Sequence, residues 1–140
     1  MSKVAVVYWS GTGNTAAMAS AVESGAKDSG AEVTVFETNG FTADKVAEFD
    51  AIAFGCPAMG AEVLEESEFD PMFTSVEGSL SGKKIALFGS YGWGDGQWMR
   101  DWEERCSSAG AQLATESVMA NNAPEDKELD ECRALGAALV

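Results

Sequence analysis

Short, nearly unbroken apolar runs alternate along this chain with longer stretches in which apolar residues return every three or four positions. VAVVY (4–8), AIAF (51–54) and IALF (85–88) are of the first kind, as expected of strands covered on both faces. Residues 33–36 and 113–118 admit Thr34, Thr115, Glu116 and Ser117, which suits edge strands that meet water. Between the runs lie helical stripes. Met18, Val22 and Ala26 form one, and Phe69, Met72, Phe73 and Val76 a second. Trp98, Met99, Trp102 and Cys106 form a third, and Leu129, Cys132, Gly136 and Leu139 a fourth. Pro71 and Pro124 fit first-turn positions, with acids nearby to meet the positive ends of the helix dipoles. Residues 42–49 predict a further, less regular helix.

Strands alternating with helices from end to end predict one α/β domain over 1–140, a doubly wound five-stranded parallel sheet. With 33–36 and 113–118 at the edges, the strand order is 2-1-3-4-5. That order has a switch point between strands one and three, where ligands sit beyond the carboxyl ends. The loops after strands one, three and four therefore converge on one crevice.

Composition narrows the chemistry. With 46% apolar and 23% charged residues the chain has enough apolar surface to bury a core, which excludes disorder. No apolar run approaches membrane-spanning length and the N-terminus enters a strand rather than a signal peptide, so the cytoplasm is the expected location. Nine basic against 23 acidic residues give a net charge of −14. Such a surface repels nucleic acid and anionic membranes and attracts basic partners. There is no histidine, hence no histidine triad, imidazole shuttle or histidine metal ligand. Cys56, Cys106 and Cys132 lie too far apart in sequence for a zinc or iron–sulfur motif, so no metal site is expected. A cofactor must bring the chemistry.

Strand one runs into Ser10-Gly11-Thr12-Gly13-Asn14-Thr15 and then a helix. The glycines allow a tight turn that points backbone N–H groups into one hollow, and the helix start adds partial positive charge. With the side chains of Ser10, Thr12, Asn14 and Thr15 this is a nest for a terminal phosphate monoester, though an ordinary strand-to-helix turn has the same composition. It lacks the lysine of a triphosphate loop and the spacing of a dinucleotide fingerprint. Strand three leads into Cys56-Pro57-Ala58-Met59-Gly60-Ala61-Glu62, and strand four into Ser90-Tyr91-Gly92-Trp93-Gly94-Asp95-Gly96. Met59 and Trp93 are large and polarizable, and a flat ring fits between them.

Together SGTGNT, CPAMG-x-E and FGSYGWGDG, with the LEESEFDP segment and the WMRDWEER helix, resemble the short-chain flavodoxins of anaerobic bacteria. The resemblance implies a low-potential one-electron carrier, not an enzyme, that binds FMN non-covalently and replaces ferredoxin between redox enzymes. It implies that Ser10, Gly11, Thr12, Gly13, Asn14, Thr15 and Ser90 hold the phosphate. Met59 would cover the inner ring face with Pro57 and Ala58 beside it, and Trp93 the outer face, flanked by Tyr91 and Gly94. Glu62 would accept the pyrimidine N–H, and backbone around Gly92 would meet the pyrimidine oxygen. The peptide after Met59 would flip on one-electron reduction, for which Gly60 is suited. Ala61 stands where the family often has Gly, Asp or Asn. Positive φ there costs about 1 kcal/mol, which lowers the first potential by roughly 40 mV.

Glu62, Glu65, Glu66, Glu68, Asp70 and Asp95 would lower the second potential by their summed charge and meet a basic docking surface on the partner. The chain is expected to act as a monomer. Trp9, Trp98, Trp102 and Cys56 read as packing, while Tyr91 fits either packing or the cofactor. Quinone-reducing flavin enzymes share the fold class, but 140 residues leave nothing over for a substrate cavity. A phospho-acceptor domain needs acids where Trp9-Ser10 and Cys56-Pro57 stand.

Overall fold

In the computed structural model, which describes residues 2–11, 13–59 and 63–140, the apolar runs form strands and the periodic stretches form helices. The elements are β1 (Lys3–Tyr8), α1 (Asn14–Asp28), β2 (Glu32–Glu37), a 3-10 turn (Thr38–Gly40), α2 (Ala43–Val46), β3 (Ala51–Gly55) and α3 (Phe69–Glu77). They continue with β4 (Lys84–Tyr91), α4 (Gln97–Ser108), β5 (Gln112–Leu113), β6 (Val118–Asn121) and α5 (Asp126–Ala138). The strands pair in the order β2-β1-β3-β4-β5, all parallel, and β6 also pairs with β4.

Alternation along the strands sorts the core into two unlike halves. Val4, Val6, Ala51, Ala53 and Ala86 face α1 and α5, where most side chains are small. There the helices cross at backbone contact: a Cβ on Gly25 would lie 2.0 Å from the Arg133 carbonyl oxygen, and one on Gly136 2.1 Å from that of Val22. The other face carries Ile52, Phe54, Ile85 and Leu87 under α3 and α4 and is largely aromatic. Phe69 and Phe73 meet Trp102 edge to face at 5.5 and 5.8 Å. Arg105 ties α4 to α3 through Glu77, Asp70 and the Thr74 hydroxyl, its guanidinium lying over the Phe73 ring.

Three elements differ from expectation. The expected strand 113–118 is two short strands, because Ser117 leaves the sheet to donate its hydroxyl to Glu103 on α4 at 2.6 Å. The expected helix 42–49 keeps a single turn, since Phe41 and Phe49 must both reach the aromatic cluster around Phe36 and Phe54. Pro124 precedes the N-cap of α5 rather than opening the helix, and Glu128 accepts the Glu125 N–H there at 2.9 Å. No helix among the described residues is long and apolar enough to cross a membrane.

Candidate functional site

The three central strands end at the same edge of the sheet and deliver their loops side by side. At the end of β1, Trp9 donates its N–H to the Gly55 carbonyl at 3.0 Å, so the loop departs only after Trp9. The Ser10 hydroxyl then accepts the N–H groups of Gly13 and Ala16 at 3.1 and 3.3 Å, folding the turn onto the start of α1. Gly13 closes that turn at φ 94, where a side chain is strained. Helix geometry leaves the N–H groups of Asn14 and Thr15 without an intrahelical acceptor, and no acid stands in the first turn of α1 to occupy them. The result is an anion nest built from neutral donors. The buried hydroxyls of Thr15 and Ser90 lie 3.1 Å apart, fixing the end of β4 against the nest.

Beside the nest opens a cleft of about 200 Å³. Its floor is Trp9, whose ring packs so closely under Gly11 that a Cβ there would meet it at 3.0 Å. One wall is Pro57, Ala58 and Met59, and the other Ser90, Tyr91 and Gly92. The walls are held to each other because β3–β4 pairing continues past the strand: Cys56 donates to the Phe88 carbonyl at 3.1 Å and Ala58 to that of Ser90 at 3.0 Å. Met59 and Val63 exchange both backbone hydrogen bonds, at 2.8 and 3.0 Å, and tie the loop together at that point. From β4, the Tyr91 ring leans on Trp98 at 5.5 Å, and the Trp98 indole N–H reaches the Cys56 carbonyl at 3.2 Å.

The expected site residues are thus gathered from three loops, with qualifications. Trp93 and Gly94 do not line the cleft; the Trp93 indole stands 61% exposed on its loop. Thr12, Gly60, Ala61 and Glu62 lie outside the described residues. Two contributors were not read as such from the sequence. Trp9, taken for packing, is cleft floor. Asn122 comes from a fourth loop, after β6, and donates its N–H to the Tyr91 carbonyl at 2.7 Å. At φ 60 it is the one non-glycine with positive φ among the described residues, and the Asn-Asn pair after the last strand was its signal in sequence.

A second hollow of about 360 Å³ opens on the other side of the same turn, lined by Ser10, Gly13 and Ala16 together with Tyr8, Trp9, Glu37, Thr38, Asn39 and Glu68. Though larger, it presents carboxylates and so repels an anion. The cleft has neither acid nor cation among its described lining residues, and its walls are largely apolar. The thiols take no part: burial pushes Cys56 up strongly, and Cys106 and Cys132 up to about 12, so all three stay protonated. No cluster of three or more metal-ligating side chains occurs among the described residues.

Comparison with known proteins agrees with this geometry. The flavodoxin family's sequence profile matches residues 6–136. The flavodoxin of Megasphaera elsdenii is 48% identical over 134 residues, covering 94% of this chain and 98% of that protein. That of Clostridium beijerinckii is 46% identical, covering 89% and 91%. The solution structure of two-electron reduced Megasphaera elsdenii flavodoxin superposes with a TM-score of 0.90 at 46% identity over 97% of each chain. An archaeal flavodoxin superposes with a TM-score of 0.86 at 29% identity, over 98% of this chain and 95% of the other. Fold, nest, cleft and sequence thus agree that this chain belongs to the flavodoxin family, electron-transfer proteins that carry non-covalently bound FMN.

Proposed function

We propose that the phosphate of FMN lies in the nest formed by residues 10–15 with Ser90, and that its ring system lies in the cleft between the Met59 and Trp93 loops. When bound, FMN accepts and releases one electron at a time. The chain's own residues bind, orient and shield it. Backbone N–H groups at the start of α1 and the hydroxyls of Ser10, Thr12 and Thr15 receive the phosphate. Pro57, Ala58 and Met59 cover the inner face, and Tyr91 and Gly92 line the other wall. Gly92, Gly94 and Gly96 flank Trp93 closely enough for its indole to close over the outer face. Gly60, Ala61 and Glu62 follow Met59 in the chain and complete this side of the site, with Glu62 accepting the pyrimidine N–H.

The observation that carries this reading is the meeting of helix-start N–H groups that have no intrahelical acceptor with a cleft whose described lining residues carry no charge. The protein works as a cytoplasmic monomer, and its partners approach with basic surfaces. Exposed apolar groups on the two loops, Met59 (37%), Val63 (38%) and Trp93 (61%), are close in sequence to the exposed acids Glu66, Glu68 and Asp95, a combination suited to such a surface. The test is stepwise anaerobic reduction of the purified protein followed in the visible spectrum. One FMN per chain and two separated one-electron steps are expected. Folded apoprotein that takes up no added FMN would overturn the reading.

A further inference from the structure

Glu65 is the most deeply buried carboxylate among the described residues, only 6% exposed, and it sits where the Met59 loop joins α3. Its Oε1 accepts the N–H groups of Glu68 and Phe69, each at 2.8 Å, and its Oε2 accepts the Ser67 N–H at 3.0 Å and the Ser67 hydroxyl. One side chain therefore satisfies the donors at the start of α3. Through its backbone the same residue grips the loop: its N–H donates to the Cys56 sulfur at 3.4 Å, joining the two feet of the loop directly. The Asp70 N–H returns to its carbonyl at 2.8 Å. One layer further out, Glu68 accepts the indole N–H of Trp9, the cleft floor, at 3.5 Å.

We infer that Glu65 is a positioning residue for the cofactor, holding the base of the Met59 loop in place while keeping a fixed, water-shielded negative charge behind it. The inference rests on the placement of the flavin ring against Met59. Burial by itself pushes the carboxyl up, but the Ser67 hydroxyl and the N–H groups of Phe69, Glu68 and Ser67 outweigh it and hold the group below its ordinary range. The charge is therefore present throughout the working pH range. Exposed acids such as Glu66 act through water and counter-ions, and salt screens them. The carboxylate of Glu65 is covered by its four donors, so counter-ions approach it less closely than they approach Glu66. Gln at this position keeps the shape but removes a full unit of charge and uncovers the positive end of α3. It also turns an NH₂ group toward donors, so part of the cap is lost.

The experiment compares Glu65→Gln with Glu66→Gln as an exposed control. FMN affinity is read by titration of apoprotein, and both one-electron potentials are measured at low salt and in 1 M salt. For Glu65→Gln we expect FMN dissociation to rise roughly ten-fold, the cost of a partly lost charge-assisted cap. The second potential should become less negative, and that shift should survive 1 M salt. For Glu66→Gln the affinity should be unchanged and any shift should vanish in salt. A merely structural role would lower thermal stability while leaving the potentials unmoved. A folded Glu65→Gln protein with wild-type affinity and potentials overturns the inference, as does a shift that salt removes. Failure of the wild-type protein itself to bind FMN would instead overturn the placement of the cofactor.

Discussion

Trp98 and Trp102 stand one turn apart on α4, 1% and 2% exposed, yet replacing each by Phe should have unequal cost. The vacated volume is the same, about 1–2 kcal/mol of lost packing in either case. The indole N–H groups differ. That of Trp98 donates to the Cys56 carbonyl at 3.2 Å, whereas that of Trp102 has no hydrogen-bond partner among the described residues. Water cannot replace Trp98 at that carbonyl, because Gly89 packs so closely that a Cβ there would lie 2.2 Å from the oxygen. Trp98→Phe thus loses a buried bond and strands part of an acceptor, about 1–3 kcal/mol, while Trp102→Phe removes a donor that is already stranded. Trp102 has more aromatic partners, Phe69 and Phe73, which returns about 0.5–1 kcal/mol of the difference. Trp98→Phe should then be the costlier change by about 1 kcal/mol, a factor of about 5 in the unfolding equilibrium. The assay is urea unfolding of the apoproteins, since bound FMN would add its own linkage term. With an m-value of about 2 kcal/mol/M, the midpoints should lie about 0.5 M apart. Only Trp98→Phe should also weaken FMN binding, because only that bond ends on the Met59 loop. Equal midpoints, or Trp102→Phe as the less stable protein, would refute the reasoning.

Further predictions follow from the nest, the loop tip and the buried carboxylate. Thr15→Val and Ser90→Ala should each raise the FMN dissociation constant about ten-fold, the value of one charge-assisted hydrogen bond, and leave riboflavin, which has no phosphate, unaffected. Equal losses for both ligands would mean that these hydroxyls act on the ring instead. Ala61→Gly should make the first potential less negative by roughly 40 mV; an unchanged or more negative value in a reductive titration removes the argument. Glu65 is held below its ordinary carboxyl value of 4.5, so its contribution is complete above that pH and disappears as pH falls through the lower folded value. Wild-type protein should therefore lose its stability advantage over Glu65→Gln only in acid, below about pH 4.5. An advantage that persists at pH 2 would show that charge is not its source.

The fold was legible because its signals were local and repeated. Runs such as AIAF can only be covered strands, and the polar residues in 33–36 marked an edge where β2 indeed lies. The turn that carries β1 into α1 was legible for the same reason, since its residues are consecutive in sequence. What escaped was set by tertiary contact. Nothing near Ser117 announces that Glu103, on a helix, will draw it out of the sheet. Trp9 reads as a core residue because its neighbours are apolar, and only the approach of Gly11 and Glu68 turns it into cleft floor. Glu65 was one acid among several in LEESEFDP. Its difference from Glu66 lies in three backbone donors supplied by a helix start and in a sulfur nine residues upstream.

If the nest holds the phosphate dianion as proposed, with no cation among its described residues, a chain of net charge −14 should respond to salt in a particular way. The local attraction would then come from N–H groups in direct contact with the phosphate, which counter-ions could not enter to screen. The long-range term is repulsive, because the acidic surface opposes an approaching phosphate. Over the radius of a domain this size, raising salt from 0.1 to 1 M weakens that repulsion by on the order of 1 kcal/mol, roughly a five-fold gain in affinity. Association with a basic partner carries the opposite sign and should weaken over the same range. One protein, titrated with FMN and with a basic redox partner in the same buffers, should therefore show two slopes of opposite direction. An FMN affinity that falls as salt rises would mean that a positive side chain does reach the phosphate, and that the neutral nest is not what holds it.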